Sequence, residues 1–199
     1  MFSHVIELFP TPVLFAHYPH EFTAQEEQIF NSVVWTKNIG NLRSADSHLL
    51  HHPDLAKIHT FLIELMTSYI EEVFEPKYTV TPYITQSWLN KTERGQYHHM
   101  HNHPNSFLSG VLYLETHQDS ITFFQPDRKL YTLMPRTTTN HNAEQCGFSP
   151  SAKEIILFPS YLQHRVEMKQ TDGNRISLAF NALLHGTVGS ESALTEAIL

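Results

Sequence analysis

The chain has 199 residues, of which 41% are hydrophobic and 17% charged, a composition typical of a folded globular protein. Its 13 basic and 20 acidic residues give a formal net charge of -7, which argues against a broad phosphate-binding surface and against a nucleic-acid partner. The single cysteine, Cys146, cannot form an intramolecular disulfide, so we expect a cytoplasmic protein.

The N-terminal third is predicted to be helical. Pro10 and Pro12 interrupt its first apolar segment, so we expect neither a signal peptide nor a membrane span. Thr23 followed by Glu26 is a capping-box pattern and predicts a short helix in TAQEEQIFNSVVW, with Ile29, Val33 and Val34 as its apolar positions. A longer helix is predicted after Pro53, because apolar residues then recur at helical spacing. These residues are Leu55, Ile58, Leu62, Met66 and Ile70.

From about Tyr78 the sequence consists of short β-branched and aromatic runs separated by turn residues, which indicates an antiparallel β-sandwich or barrel. The stretch PRTTTNHNAEQCGFSP is predicted to be a loop. We therefore expect a single domain, 1–199, with a helical support at 1–77 and a β core at 78–185. The predicted strands are YITQSWLN, SGVLYLE, SITFFQP, EIILFPS, HRVEMK and RISLAFNALL.

Four histidines lie within the short stretch HHMHNHP, residues 98–104. On a strand, His99, His101 and His103 would share one face, whereas His98 would point to the other. Imidazoles at positions i and i+2 have α-carbons about 6–7 Å apart, close enough to bind one metal ion. The alternative is a set of polar surface histidines.

Two further segments carry candidate site residues. His164 follows a buried-looking strand in EIILFPSYLQHRVEMK and, taken alone, could equally be a structural histidine. In RISLAFN, Arg175, Ser177 and Asn181 would share one strand face. A buried arginine needs an anion, which is either a bound carboxylate or a distant acidic residue of this chain.

The His-x-His pair, the later FPS...H segment and the Arg-x-Ser pair together resemble the iron(II)- and 2-oxoglutarate-dependent oxygenases, in particular a bacterial and phage-associated group of that superfamily. The resemblance spans about Gln86 to Leu183. It implies a double-stranded β-helix, or cupin-like jelly roll, whose mouth holds Fe(II), with 2-oxoglutarate as the second cofactor. It also implies hydroxylation of an unidentified small molecule or side chain.

The resemblance also implies roles for individual residues. His101 and His164 match two metal ligands, and His103 stands where most of the superfamily has Asp or Glu, with His98 and His99 not ligands. Losing that carboxylate should weaken metal retention or shift redox behaviour. Arg175 and Ser177 match the pair that holds the distal carboxylate of 2-oxoglutarate. Asn90, Tyr113 and Asn181 are weaker candidates for the lining of the cofactor pocket.

Other interpretations stay open at this point. The metal pair could be His99 and His101 instead of His101 and His103. The protein could be a cupin-like metal enzyme that does not use 2-oxoglutarate, with Arg175 paired to an internal acid, or a metal-stabilised binding module without turnover. The sequence is also compatible with a homo-oligomer.

Overall fold

The computed structural model describes residues 9–117, 120–126 and 134–199. The first helix, α1 (Ala24–Ser32), begins with the predicted capping box: the hydroxyl of Thr23 accepts from the N–H of Glu26 at 3.2 Å, and the carboxylate of Glu26 accepts from the N–H of Thr23 at 2.7 Å. The helix is shorter than predicted, because Val33 already has an extended backbone.

The second helix, α2 (Ala56–Phe74), confirms the predicted long amphipathic helix. Pro53 lies just before it in a 3₁₀ turn, Pro53–Leu55, which follows another turn at Leu49–His51. The five predicted apolar positions are all at most 2% exposed, so they form the buried face. No helix within the described residues combines the length and the apolar character needed to cross a membrane.

The described residues contain twelve β-strands. The six predicted segments contain or overlap β4, β6, β7, β9, β10 and β11. The predicted loop at 135–150 is wrong in part, because its last residues form β8 on the edge of a sheet. The strands are β1 (Leu14–His17), β2 (Trp35–Lys37), β3 (Leu42–Ser44), β4 (Val80–Thr92), β5 (His98–His101), β6 (Leu108–Glu115), β7 (Ile121–Phe124), β8 (Gln145–Phe148), β9 (Glu154–Pro159), β10 (His164–Val166), β11 (Arg175–Val188) and β12 (Ala197–Ile198).

The strands form two antiparallel sheets, which together make the predicted jelly roll. The large sheet has the order β1-β9-β6-β11-β4-β3-β2, with β12 added to β11. The small sheet has the order β5-β10-β7-β8. The non-sequential neighbours reflect the crossing connections of a double-stranded β-helix.

Alternating side chains of the large sheet serve two different cores. Leu178 and Phe180 of β11 pack with α2 in the first core, and Gly110 on β6 makes room there, since a Cβ at this position would collide with the ring of Phe180. The opposite face contributes Tyr113 and Phe158 to a smaller core shared with the small sheet. The polar residues on this inner face surround the site described next.

Candidate metal centre

Three predicted histidines meet at one end of the small sheet. His101 ends β5 and lies directly opposite His164, the first residue of β10. His103 follows two residues after β5, where its backbone N–H donates to the carbonyl of Ser160 at 2.9 Å. One ring nitrogen from each histidine lies within 4.8 Å of those of the other two.

The separations are those of ligands around one ion. The Nε2 atoms of His103 and His164 are 3.3 Å apart. Two nitrogens bound about 2.1 Å from one metal, at angles between about 90° and 109°, would be separated by about 3.0–3.4 Å. The ligand nitrogen of His101 lies within 4.8 Å of both.

Backbone hydrogen bonds fix which nitrogen of two rings is available. Nδ1 of His101 donates to the carbonyl of His99 at 2.7 Å, and Nδ1 of His164 donates to the carbonyl of Leu162 at 3.0 Å. With the proton on Nδ1, the lone pair of each ring is on Nε2, which is the tautomer that a metal requires here.

Burial keeps these imidazoles uncharged. Burial, and then the neighbouring His101, lowers the pKa of His164 to about 3 and that of His103 to about 4. Burial also lowers the pKa of His101. Neutral imidazoles bind metals, so the three rings are ready for ligation at neutral pH without releasing a proton.

A chain of polar side chains supports His103. The side chain of Asn181 hydrogen-bonds with His103 and accepts from the hydroxyl of Ser109 at 2.9 Å. Ser109 is in turn 2.8 Å from the hydroxyl of Ser160, which is 2.9 Å from that of Ser106. Asn181 was predicted to line the cofactor pocket, and the structure places its side chain against a candidate ligand.

The prediction that His98 points away from the site is wrong. Between the pairs His101–His164 and His98–Val166 the strand β5 has one residue more than β10, so a β-bulge interrupts the alternation. The rings of His98 and His101 have centroids only 4.4 Å apart, and the pKa of His98 is lowered first by burial and then by His101. His98 therefore lies beside the candidate ligands.

A second group of predicted residues forms a polar pocket on the large sheet. Arg175 is 5% exposed and Ser177 1% exposed, and Ser177 pairs with Asn90 on β4 and with Tyr113 on β6. The guanidinium of Arg175 lies 5.3 Å from the centre of the Tyr113 ring. Its positive charge makes a smaller contribution to the lowered pKa values of His98 and His164.

Several polar atoms of this pocket have no hydrogen-bond partner among the described residues. They are Nε and Nη1 of Arg175, Oγ of Ser177 and Oδ1 of Asn90. Buried polar groups are nearly always hydrogen-bonded, and a buried guanidinium is costly without an anion. A ligand that brings a carboxylate would satisfy these groups.

Comparisons with known proteins find one family model that matches part of the chain. Residues 86–181, which contain every candidate site residue, match the family model described as "Putative 2OG-Fe(II) oxygenase". This segment is therefore similar to the iron(II)- and 2-oxoglutarate-dependent oxygenases. A search of curated proteins finds no match to this chain.

Solved structures confirm the fold of the chain. An oxidoreductase of the 2OG-Fe(II) oxygenase family from Burkholderia pseudomallei has 15% identity and a TM-score of 0.57, over 85% of this chain and 83% of that chain. HygX from Streptomyces hygroscopicus, with nickel and 2-oxoglutarate bound, has 10% identity and a TM-score of 0.60, over 86% and 82% of the two chains. A prolyl-4-hydroxylase from Pseudomonas putida has 11% identity and a TM-score of 0.56, over 87% and 94%.

The residues of the candidate site fit iron(II) and 2-oxoglutarate, the two cofactors of the matching family. Three neutral imidazoles suit iron(II), although the usual carboxylate is absent from the set. The unpartnered nitrogens of Arg175 suit the far carboxylate of a dicarboxylic acid. The sequence did not predict the hydrogen bonds that link Ser109, Ser160 and Ser106 to Asn181, or the bulge beside His98. Both depend on contacts between segments that are distant in sequence.

Proposed function

We propose that this chain is an iron(II)- and 2-oxoglutarate-dependent oxygenase that holds iron(II) through His101, His103 and His164 and hydroxylates a small molecule or a side chain. The observation that carries the proposal is the buried Arg175, whose Nε and Nη1 are unpartnered, in a pocket facing three converging imidazoles. Such a pair of sites suits a co-substrate with a metal-chelating end and a distal carboxylate. 2-Oxoglutarate has both.

The protein contributes ligands, orientation and a dry pocket. Nε2 of each histidine presents a lone pair to the ion, and the carbonyls of His99 and Leu162 hold two of the rings in that tautomer. Arg175 donates hydrogen bonds to the distal carboxylate, and the hydroxyl of Ser177 donates a further one. Asn90 and Tyr113 line the same pocket and limit the positions that the bound dicarboxylate can take.

The cofactors provide the reactive chemistry. When bound, iron(II) and 2-oxoglutarate allow dioxygen to convert 2-oxoglutarate to succinate and carbon dioxide and to deliver its second oxygen atom to a C–H bond of the substrate. Burial of Arg175 and His164, at 5% and 4% exposure, keeps water from their polar groups.

The alternative of a cupin-like protein that does not use 2-oxoglutarate requires Arg175 to pair with an internal acid. No such ion pair occurs among the described residues.

We also propose a cytoplasmic location, on the basis of the single cysteine. We propose a small molecule or a side chain as the substrate, and we do not expect a nucleic-acid partner. The sequence is compatible with a homo-oligomer.

Anaerobic titration tests the proposal. Iron(II) should bind with one equivalent, and 2-oxoglutarate should then produce the visible charge-transfer band of the chelate. Stoichiometric iron without this band would favour the cupin-like alternative. A screen for succinate release across a metabolite library would then identify the substrate.

A further inference from the structure

A second group of three histidines lies beside the candidate iron site. It consists of His98, His99 and His101, and one ring nitrogen of each lies within 4.8 Å of those of the other two. The ring centroids of His98 and His99 are 5.2 Å apart, and those of His99 and His101 are 4.9 Å apart. The β-bulge in β5 creates this group, because it turns His98 toward His101.

The two histidines that belong only to this group have nitrogens available for a ligand. Nδ1 of His99 is buried and has no hydrogen-bond partner among the described residues. His98 contributes a ring nitrogen within 4.8 Å of those of His99 and His101, and its ring centroid lies 4.4 Å from that of His101. A buried ring nitrogen without a partner is unusual, and a metal ion would satisfy it.

The two histidine groups share His101, and they share the same atom of it. Its Nδ1 donates to the carbonyl of His99 at 2.7 Å, so the only lone pair of the ring is on Nε2. One lone pair binds one ion. An ion bound by His98 and His99 would therefore take His101 away from His103 and His164.

We propose that His98, His99 and His101 form a second divalent-cation site whose occupation excludes iron from the proposed site. Three neutral imidazoles without a carboxylate suit zinc, nickel and copper(II), which bind nitrogen ligands more tightly than iron(II) does. These cations would thus inhibit the oxygenase by withdrawing a ligand.

Zinc binding to variants separates the two groups. The double variant His103→Ala/His164→Ala keeps only the second group, and isothermal titration of the chelator-treated, folded protein should show one zinc. Adding His99→Ala should weaken that binding at least about tenfold. Adding His20→Ala instead, which removes an exposed histidine elsewhere, should change nothing. No zinc on the double variant, or equal affinity with and without His99, would overturn the proposal.

A measurement without disruption of the iron site covers the case in which the double variant does not fold. Zinc is added to the anaerobic complex of iron(II) and 2-oxoglutarate until half of the charge-transfer band is lost. His99→Ala should require at least about threefold more zinc than the wild-type protein and His20→Ala. Equal zinc requirements would overturn the second site. Absence of the band in the wild-type protein would instead refute the proposed function, while the zinc titration of the double variant still tests the second site.

Discussion

Replacing Arg175 with alanine should abolish tight binding of 2-oxoglutarate and leave iron binding intact. The variant removes two buried hydrogen-bond donors, Nε and Nη1, together with the positive charge of the guanidinium. Truncating one partner of a buried, hydrogen-bonded charge pair costs about 2–5 kcal/mol. At about 1.4 kcal/mol for each factor of ten, the dissociation constant for 2-oxoglutarate should rise about 30- to 4,000-fold.

The same variant should behave differently in the absence of the co-substrate. Arg175 is then a buried cation whose Nε and Nη1 have no partner among the described residues. Its removal therefore breaks no described ion pair, and we expect no decrease in the free energy of unfolding from that cause. Added 2-oxoglutarate should raise the Tm of the iron-loaded wild-type protein and not that of the variant.

Anaerobic titration with 2-oxoglutarate at saturating iron measures the effect, with Arg165→Ala as the matched control. Arg165 is a half-exposed arginine that pairs with Glu167 at 2.7 Å, outside the pocket. The control should bind 2-oxoglutarate as the wild-type protein does. Unchanged 2-oxoglutarate affinity in Arg175→Ala, or an equal loss of iron and 2-oxoglutarate, would refute the reasoning.

Three further predictions concern the histidines. His103→Ala should strip iron or loosen it greatly, whereas His103→Asp should retain iron because it restores the usual carboxylate; iron content after desalting measures both, and full iron in the alanine variant would contradict the ligand role. Asn181→Leu should weaken iron binding about 10- to 100-fold by removing the hydrogen bond to His103, and Asn181→Asp should recover part of the loss; equal iron affinities for all three proteins would mean that the contact has no role in ligation. The chelator-treated protein should lose stability as the pH falls below about 6.5. In that range unfolded histidines take up protons, whereas His103 and His164 do so only near their folded pKa values of about 4 and about 3. The unfolded state thus binds more protons, and stability rises with pH across the window; a free energy of unfolding that stays constant between pH 7 and pH 4 in urea titrations would exclude this coupling.

Local patterns in the sequence predict the parts of the fold that local chemistry decides. The capping box at Thr23 and the buried face of α2 are examples, because each depends on residues three or four positions apart. The strand β8 does not depend on local chemistry in this way. Its residues QCGF are few and include a glycine, so they do not predict a strand by themselves, and they become one by pairing with β7, more than twenty residues earlier.

The candidate site divides in the same way. Alternation on β11 groups Arg175 with Ser177, and the pairing of that strand with β4 is regular over those residues. Alternation fails for His98, because a bulge is a property of two paired strands and not of one. The contact between Asn181 and Ser109 joins strands separated by 72 positions, which no local pattern reports.

The bulge in β5 makes one residue of the His98–His101 segment surplus to strand pairing. Met100 is the outward residue of that segment, with 51% of its surface exposed. A chain with one residue fewer in this segment could pair β5 with β10 in regular register. The first and last histidines of the segment would still lie on the same face of the strand. The number of residues between histidines is therefore a poor guide for aligning related chains in this segment. A histidine two positions before His101 in one chain and a histidine three positions before it in another can occupy the same place in space.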